Sequence, residues 1–208
     1  MPNRDRILSR VRSALGRSSG QAIPALPPPR LVIPTWSSEE RIRRLQENFR
    51  GETFVAVDSD EARDFVASKA QGLAAVASNS SVLRDIGVSG LPNVQSGFVN
   101  RDELRSACIA AGVGISSASY AIADPGALVV LAGAEEERLI SLAPPRHIAV
   151  VPADRVLTSL DEFFTVVPDP ALESSSMVLI GGPSRTGDIE MTLTLGVHGP
   201  REVYVVIV

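Results

Sequence analysis

The chain has 208 residues, of which 44% are hydrophobic, and a formal net charge of −4. That apolar fraction excludes a disordered chain and supports one domain of ordinary size with an appendage. The acidic balance offers no basic surface for nucleic acid or an anionic membrane. A single cysteine, Cys108, rules out an internal disulfide and any four-cysteine metal or iron–sulfur site held by this chain alone.

Residues 3–16 read as a short amphipathic helix, capped by Asn3 and ended by Gly16, with Ile7, Val11 and Leu15 at every fourth position. Arg4, Arg6, Arg10 and Arg12 fall mostly on its other face. Such a helix docks on another subunit, packs on its own domain or frays. No unbroken apolar segment follows and no run reaches the length of a membrane span, so the expected compartment is the cytoplasm. Pro24, Pro27, Pro28, Pro29 and Pro34 make residues 20–34 an extended linker. The expected organisation is a helix and linker over 1–36, then an α/β domain over 37–208.

Helix returns at Ser37 or Ser38, with Glu39 and Glu40 in its first turn, Ile42, Leu45 and Phe49 as its stripe, and Gly51 as its stop. The pattern then alternates. Strands are expected over 53–57 and 73–77, with a helix over 59–71 between them. A short helical turn and the Gly90-Leu91-Pro92 break follow. Asn100 caps a helix reaching Ala111, with Glu103 as its capping-box partner. Strands follow over 115–117, 120–123 and 127–131, then a short helix over 135–142 and a strand over 147–151. The remaining expectations are helix 154–164, strand 177–180, helix 186–195 and strand 203–208. Unbroken hydrophobic strands separated by helices predict a mostly parallel sheet covered on both faces.

Three segments have residue types suited to chemistry. The first runs from Gly181 and Gly182 through Pro183, Ser184, Arg185 and Thr186 to Asp188 and Glu190. If it joins a strand to a helix, backbone N–H groups at the helix start, with Ser184, Arg185 and Thr186, form an anion cradle. It lacks the Gly-Lys-Ser/Thr ending of a P-loop, and an ordinary capped turn is the competing reading. The second is Gly196-Val197-His198-Gly199-Pro200-Arg201, a tight loop whose His198 is a candidate acid, base or ligand. The third, residues 112–126, is rich in small residues and ends at Asp124-Pro125-Gly126. It is no dinucleotide fingerprint, and Asp124 serves a turn as readily as a reaction. His147 reads as structural, Cys108 as a small buried hydrophobe, and Lys69, the only lysine, as a surface residue. His147 and His198 lack zinc-ligand spacing, so no metal site is expected.

These segments, in this order, resemble the lactate-utilisation (LUD) family from about Ser37 to Val208. The most specific stretches are Gly182 to Thr186 with Asp188-Ile189-Glu190, and Gly196 to Arg201. The N-terminal stretch also resembles that of the family's protein C members. The family's Ala-Asp/Glu-Thr-Gly pattern meets Ala123, Asp124 and Gly126 here, with Pro125 in place of the threonine. The resemblance implies a three-layer α/β/α sandwich with a Rossmann-like sheet, similar to the NagB/RpiA/CoA-transferase group. It also implies a place in L-lactate oxidation to pyruvate beside iron–sulfur partner subunits. Under that reading Gly182, Ser184, Arg185, Thr186, Gly199 and Arg201 bind a small anionic ligand, and His198, Asp188 and Glu190 orient it or move protons, with Asp124 as a further catalytic candidate. The cofactor is left unknown. The alternatives are a stand-alone CoA transferase, with Asp124 as nucleophile, a phosphosugar-type enzyme, and a non-catalytic scaffold.

Overall fold

A computed structural model describes residues 3–16, 33–133, 138–187 and 193–208. The chain divides into two units, Met1–Val32 and Ile33–Val208. In the first, α1 (Asn3–Ala14) carries Ile7 and Val11 exposed to solvent.

The second unit begins with α2 (Ser38–Asn48), β1 (Glu52–Val55), α3 (Ser59–Ala70), β2 (Ala75–Ala77), α4 (Ser81–Asp85), β3 (Val94–Gln95) and α5 (Arg101–Ala110). It continues through β4 (Val113–Ser117), β5 (Tyr120–Asp124), β6 (Ala127–Leu131), α6 (Arg138–Leu142), β7 (Arg146–Val151), β8 (Val156–Ser159) and α7 (Leu160–Val166). It ends with α8 (Pro170–Glu173), β9 (Met177–Ile180), β10 (Arg185–Gly187), β11 (Leu193–Leu195) and β12 (Glu202–Ile207). Side-chain caps start several helices where the sequence places them. Ser37 accepts from the Glu40 N–H at 3.3 Å, and Asn100 from the Asp102 N–H at 2.8 Å.

Six strands form a parallel sheet in the order β1-β12-β7-β4-β2-β3. Its central strands β2, β4 and β7 are buried on both sides, which explains their unbroken apolar runs. On one face α3 and α4 bring Ala62, Val66, Ala70, Leu83 and Ile86 against Ile115, Ile148, Val150 and Val206. On the other, α5 and α6 bring Leu104, Cys108 and Ile140 over Val76. Beside them, Leu45 and Phe49 of α2 share a core with Leu128, Val130, Ala149, Val151, Val205 and Ile207. Each fully buried aliphatic side chain contributes about 1.5–3 kcal/mol relative to exposure.

The chain is therefore a mixed α/β protein with a mostly parallel central sheet, but the second covering layer is not purely helical. It contains a four-stranded sheet, β8-β5-β6-β9, in which β5 and β6 form an antiparallel hairpin and β9 runs antiparallel to β6. The helix α7 covers its outer side, with Phe163 and Val167 against Ile122, Val129 and Leu157.

Two expected helices are corrected. Over 154–164, Val156 to Ser159 form a strand parallel to β5, and helix begins only at Leu160. Val156 and Thr158 are β-branched, and Ser159 is the true N-cap, accepting from the Glu162 N–H at 3.3 Å. Over 186–195, β10 and β11 pair antiparallel, Thr186 opposite Thr194, with residues 188–192 outside the described ones. Gly187 is a poor helix former, and the alternation of Thr192, Leu193, Thr194 and Leu195 has the period of a strand. The expected 135–142 helix is described only from Arg138.

Candidate functional site

The three segments meet at the amino-terminal end of the parallel sheet, around the end of α2. The Asn48 side-chain amide donates to the Ala123 carbonyl at 2.9 Å, tying α2 to the β5 end that carries Asp124. The following turn passes under the same helix end. Gly126 has φ +81°, and a Cβ there would meet Asn48 and press on the Phe49 nitrogen at 2.6 Å. On the other side, the Arg50 N–H donates to the Gly181 carbonyl at 3.4 Å. Gly182 has φ +135°, and a Cβ there would stand 2.8 Å from the Arg50 Cβ. Glycine is needed at both turns for its backbone freedom and for lack of space.

The first and second segments are joined directly, through Ser184. Its N–H donates to the Pro200 carbonyl at 2.8 Å, and its carbonyl accepts from the Gly196 N–H at 3.0 Å. Its hydroxyl accepts from the His198 N–H at 3.2 Å. The Arg201 N–H donates to the Pro145 carbonyl at 2.8 Å, which seats the loop at the start of β12 beside β7. Ser184, Thr186 and Gly199 are half-buried, whereas Arg185, His198 and Arg201 are exposed. Two cationic side chains, two hydroxyls and an imidazole thus stand on adjoining loops, a set able to hold an oxyanion and move a proton.

The helix start expected at Thr186 to complete this cradle is replaced by a β-ribbon, so among the described residues no helix begins in that segment. Asp188 and Glu190 lie outside the described residues. Asp124 is exposed, and among the described residues no hydrogen bond or ion pair joins it to Arg185, His198 or Arg201. Asn48 and Arg50, which hold the two turns together, have no signal in the sequence beyond the end of an amphipathic helix.

Two residues away from this cluster are settled by burial. His147 is fully buried, its Nε2 lies 2.9 Å from the Ser116 hydroxyl, and its Nδ1 has no partner. Burial holds its pKa down at about 4, so the imidazole is neutral near pH 7. Cys108 is buried in α5. Among the described residues, no group of three or more His, Cys, Asp or Glu side chains could hold a metal ion. No helix there is long and apolar enough to cross a membrane.

Fold and loop cluster together define a class: mixed α/β proteins with a parallel core sheet, a second mixed sheet on one face, and a glycine-lined loop cluster at the amino end. A DUF162 family protein from Deinococcus radiodurans shares the fold, with a TM-score of 0.61 at 19% identity over 83% of this chain and 99% of that one. Residues 39–208 match the LUD domain model, and the chain belongs to that family. A lactate utilization protein C of Anoxybacillus flavithermus is 27% identical over 216 aligned positions, covering 96% of this chain and 97% of that protein. Another, from Halalkalibacterium halodurans, is 35% identical over 102 positions, 47% of this chain and 44% of that protein. The chain thus matches less than half the length of the latter and nearly the whole of the former.

Proposed function

We propose that this chain is a subunit of an L-lactate utilisation system, oxidising L-lactate to pyruvate together with iron–sulfur partner proteins in the cytoplasm. Its part is to bind a small anionic ligand or cofactor at the amino-end loop cluster. The near full-length likeness to a lactate utilization protein C supports the system. The observation that carries the site is the joining of its two most specific sequence segments through Ser184. Arg185 and Arg201 pair with the anion, Ser184 and Thr186 donate to it, and His198 takes or gives a proton at its edge. Asp188 and Glu190 of the same segment orient the ligand, and Asp124 stands at the neighbouring turn. The single cysteine fits a division of labour in which the partners hold the clusters.

The test is growth on L-lactate of a strain lacking this gene, complemented with Arg185→Ala or His198→Ala. Loss of growth with normal protein levels supports the reading. Growth equal to wild type with both variants refutes the roles given to these residues. Thermal shift of the purified chain against L-lactate, pyruvate, phosphate, CoA, NAD and flavins identifies the ligand class, since a ligand specific to the folded state raises Tm.

A further inference from the structure

Ligands of open α/β sheets characteristically bind outside the carboxyl ends of the parallel strands, the end opposite the Ser184 cluster. Two helices begin there on one face of the sheet. α5 leaves the end of β3, and α6 leads back into the start of β7. The Asn100 side chain accepts from the Asp102 and Glu103 N–H groups and so pins the start of α5. α6 lies hard against β4, where a Cβ on Gly114 would collide with the Ile140 carbonyl. Leu104 and Cys108 of α5 and Leu139 and Ile140 of α6 share one core over Val76.

Above that core a cavity of about 630 Å³ opens between the two helices. Its floor is Leu104, 5% exposed, with the half-buried Leu139 and Leu142. Its walls carry Arg101 and Arg105, one turn apart on α5, and Arg138 at the start of α6, all three exposed. Asp102 is the one carboxylate among the lining residues. Arg101 and Arg138 also border a second cavity of about 660 Å³, to which Glu173, Ser175 and Ser176 contribute. The arginines of α2 are engaged with glutamates: Arg41 with Glu162, Arg43 with Glu40 and Glu47, and Arg44 with Glu40. By contrast, the guanidiniums of Arg101, Arg105 and Arg138 make no hydrogen bond or ion pair among the described residues. Glu135, Glu136 and Glu137, which precede Arg138 in the chain, lie outside those residues. On a chain of net charge −4, three guanidiniums gathered at one apolar-floored crevice invert the sign locally.

We infer that this crevice binds a phosphate ester with an apolar or planar body, of the nucleotide class. Its phosphates take Arg101, Arg105 and Arg138, whose forks each match two oxygens of such a group. Its body lies on Leu104, Leu139 and Leu142. An inorganic anion alone would leave those leucines wet, and the cavity falls within the roughly 300–1,000 Å³ of ordinary small-molecule sites. The site is separate from the cluster at Ser184 and stands or falls apart from it.

The test is a titration of the isotope-labelled full-length chain with ADP, read by amide NMR, with inorganic pyrophosphate and adenosine in parallel. The expected result is a saturable shift shared by the amides of Leu104, Arg105, Leu139 and Leu142. Arg105→Gln and Arg138→Gln should each weaken the apparent Kd for ADP about tenfold, through loss of a charge-assisted fork. Both side chains are exposed, so the amide spectrum away from the crevice should stay that of wild type. Pyrophosphate and adenosine each lack one half of the ligand, and both should bind about tenfold more weakly than ADP. Arg185→Ala should leave the Kd unchanged. Absence of a saturable shift at these amides, a Kd indifferent to both Arg105→Gln and Arg138→Gln, loss of binding in Arg185→Ala alone, or pyrophosphate binding as tightly as ADP overturns the proposal.

Discussion

The buried His147 makes the stability of this protein depend on pH in a way that one substitution should remove. In the folded chain the imidazole has no contact with water and its pKa is held at about 4, against 6.5 for the free side chain. Above about pH 6.5 both folded and unfolded chains carry it neutral, and it contributes no pH dependence. Below that, the unfolded chain binds a proton that the folded chain refuses. Stability therefore falls as pH falls, by about 1.4 kcal/mol per unit, until the folded imidazole also protonates near pH 4. The full effect is about 3 kcal/mol, and between about pH 7.5 and pH 4.5 it is about 2.5 kcal/mol. His147→Gln keeps a polar group facing Ser116 but does not titrate. Urea denaturation of both proteins at the two pH values reads the difference directly, because carboxylates contribute equally to each. Wild type should lose about 2.5 kcal/mol more than the variant on acidification. Parallel losses would refute the claim that His147 is buried neutral.

Other substitutions probe the contacts that build the loop cluster. Gly126→Ala forces a side chain into the end of α2 at a positive φ, and should cost about 2–3 kcal/mol by the same denaturation assay. Ser184→Ala removes the acceptor of the His198 N–H; it should cost about 1 kcal/mol and speed hydrogen exchange at that amide specifically. Unchanged exchange there would mean the loop is held by its backbone bonds alone. Asn100→Ala should cost about 1 kcal/mol through the lost cap of α5, and Asn100→Ser should restore most of it.

Elements whose signals are local in the chain were legible in the sequence. The caps at Ser37 and Asn100, the stripe of α2 and the apolar runs of β4, β7 and β12 each depend on residues within one turn or one strand. The same locality explains the misreadings. Val156 to Ser159, Arg185 to Gly187 and Leu193 to Leu195 are short, and their helical or extended state depends on which strand lies alongside. Val156 becomes strand because Ala121 pairs with it, and Thr186 because Thr194 does.

The candidate site divides the same way. The sequence by itself marked Gly182 to Thr186, Gly196 to Arg201 and Asp124 to Gly126, because glycines, a histidine and arginines close together in the chain are visible there. It equally set the single cysteine and the acidic balance, which are matters of composition. Only the tertiary structure decided that Ser184 joins two of these segments and that Asn48 and Arg50 draw the turns at Gly126 and Gly182 to one helix end. It alone removed the helix from the cradle, buried His147 against Ser116, and opened a crevice between α5 and α6. Those outcomes rest on hydrogen bonds and packing between residues tens of positions apart, and on the faces to which successive helices cross. No local pattern of residues encodes either.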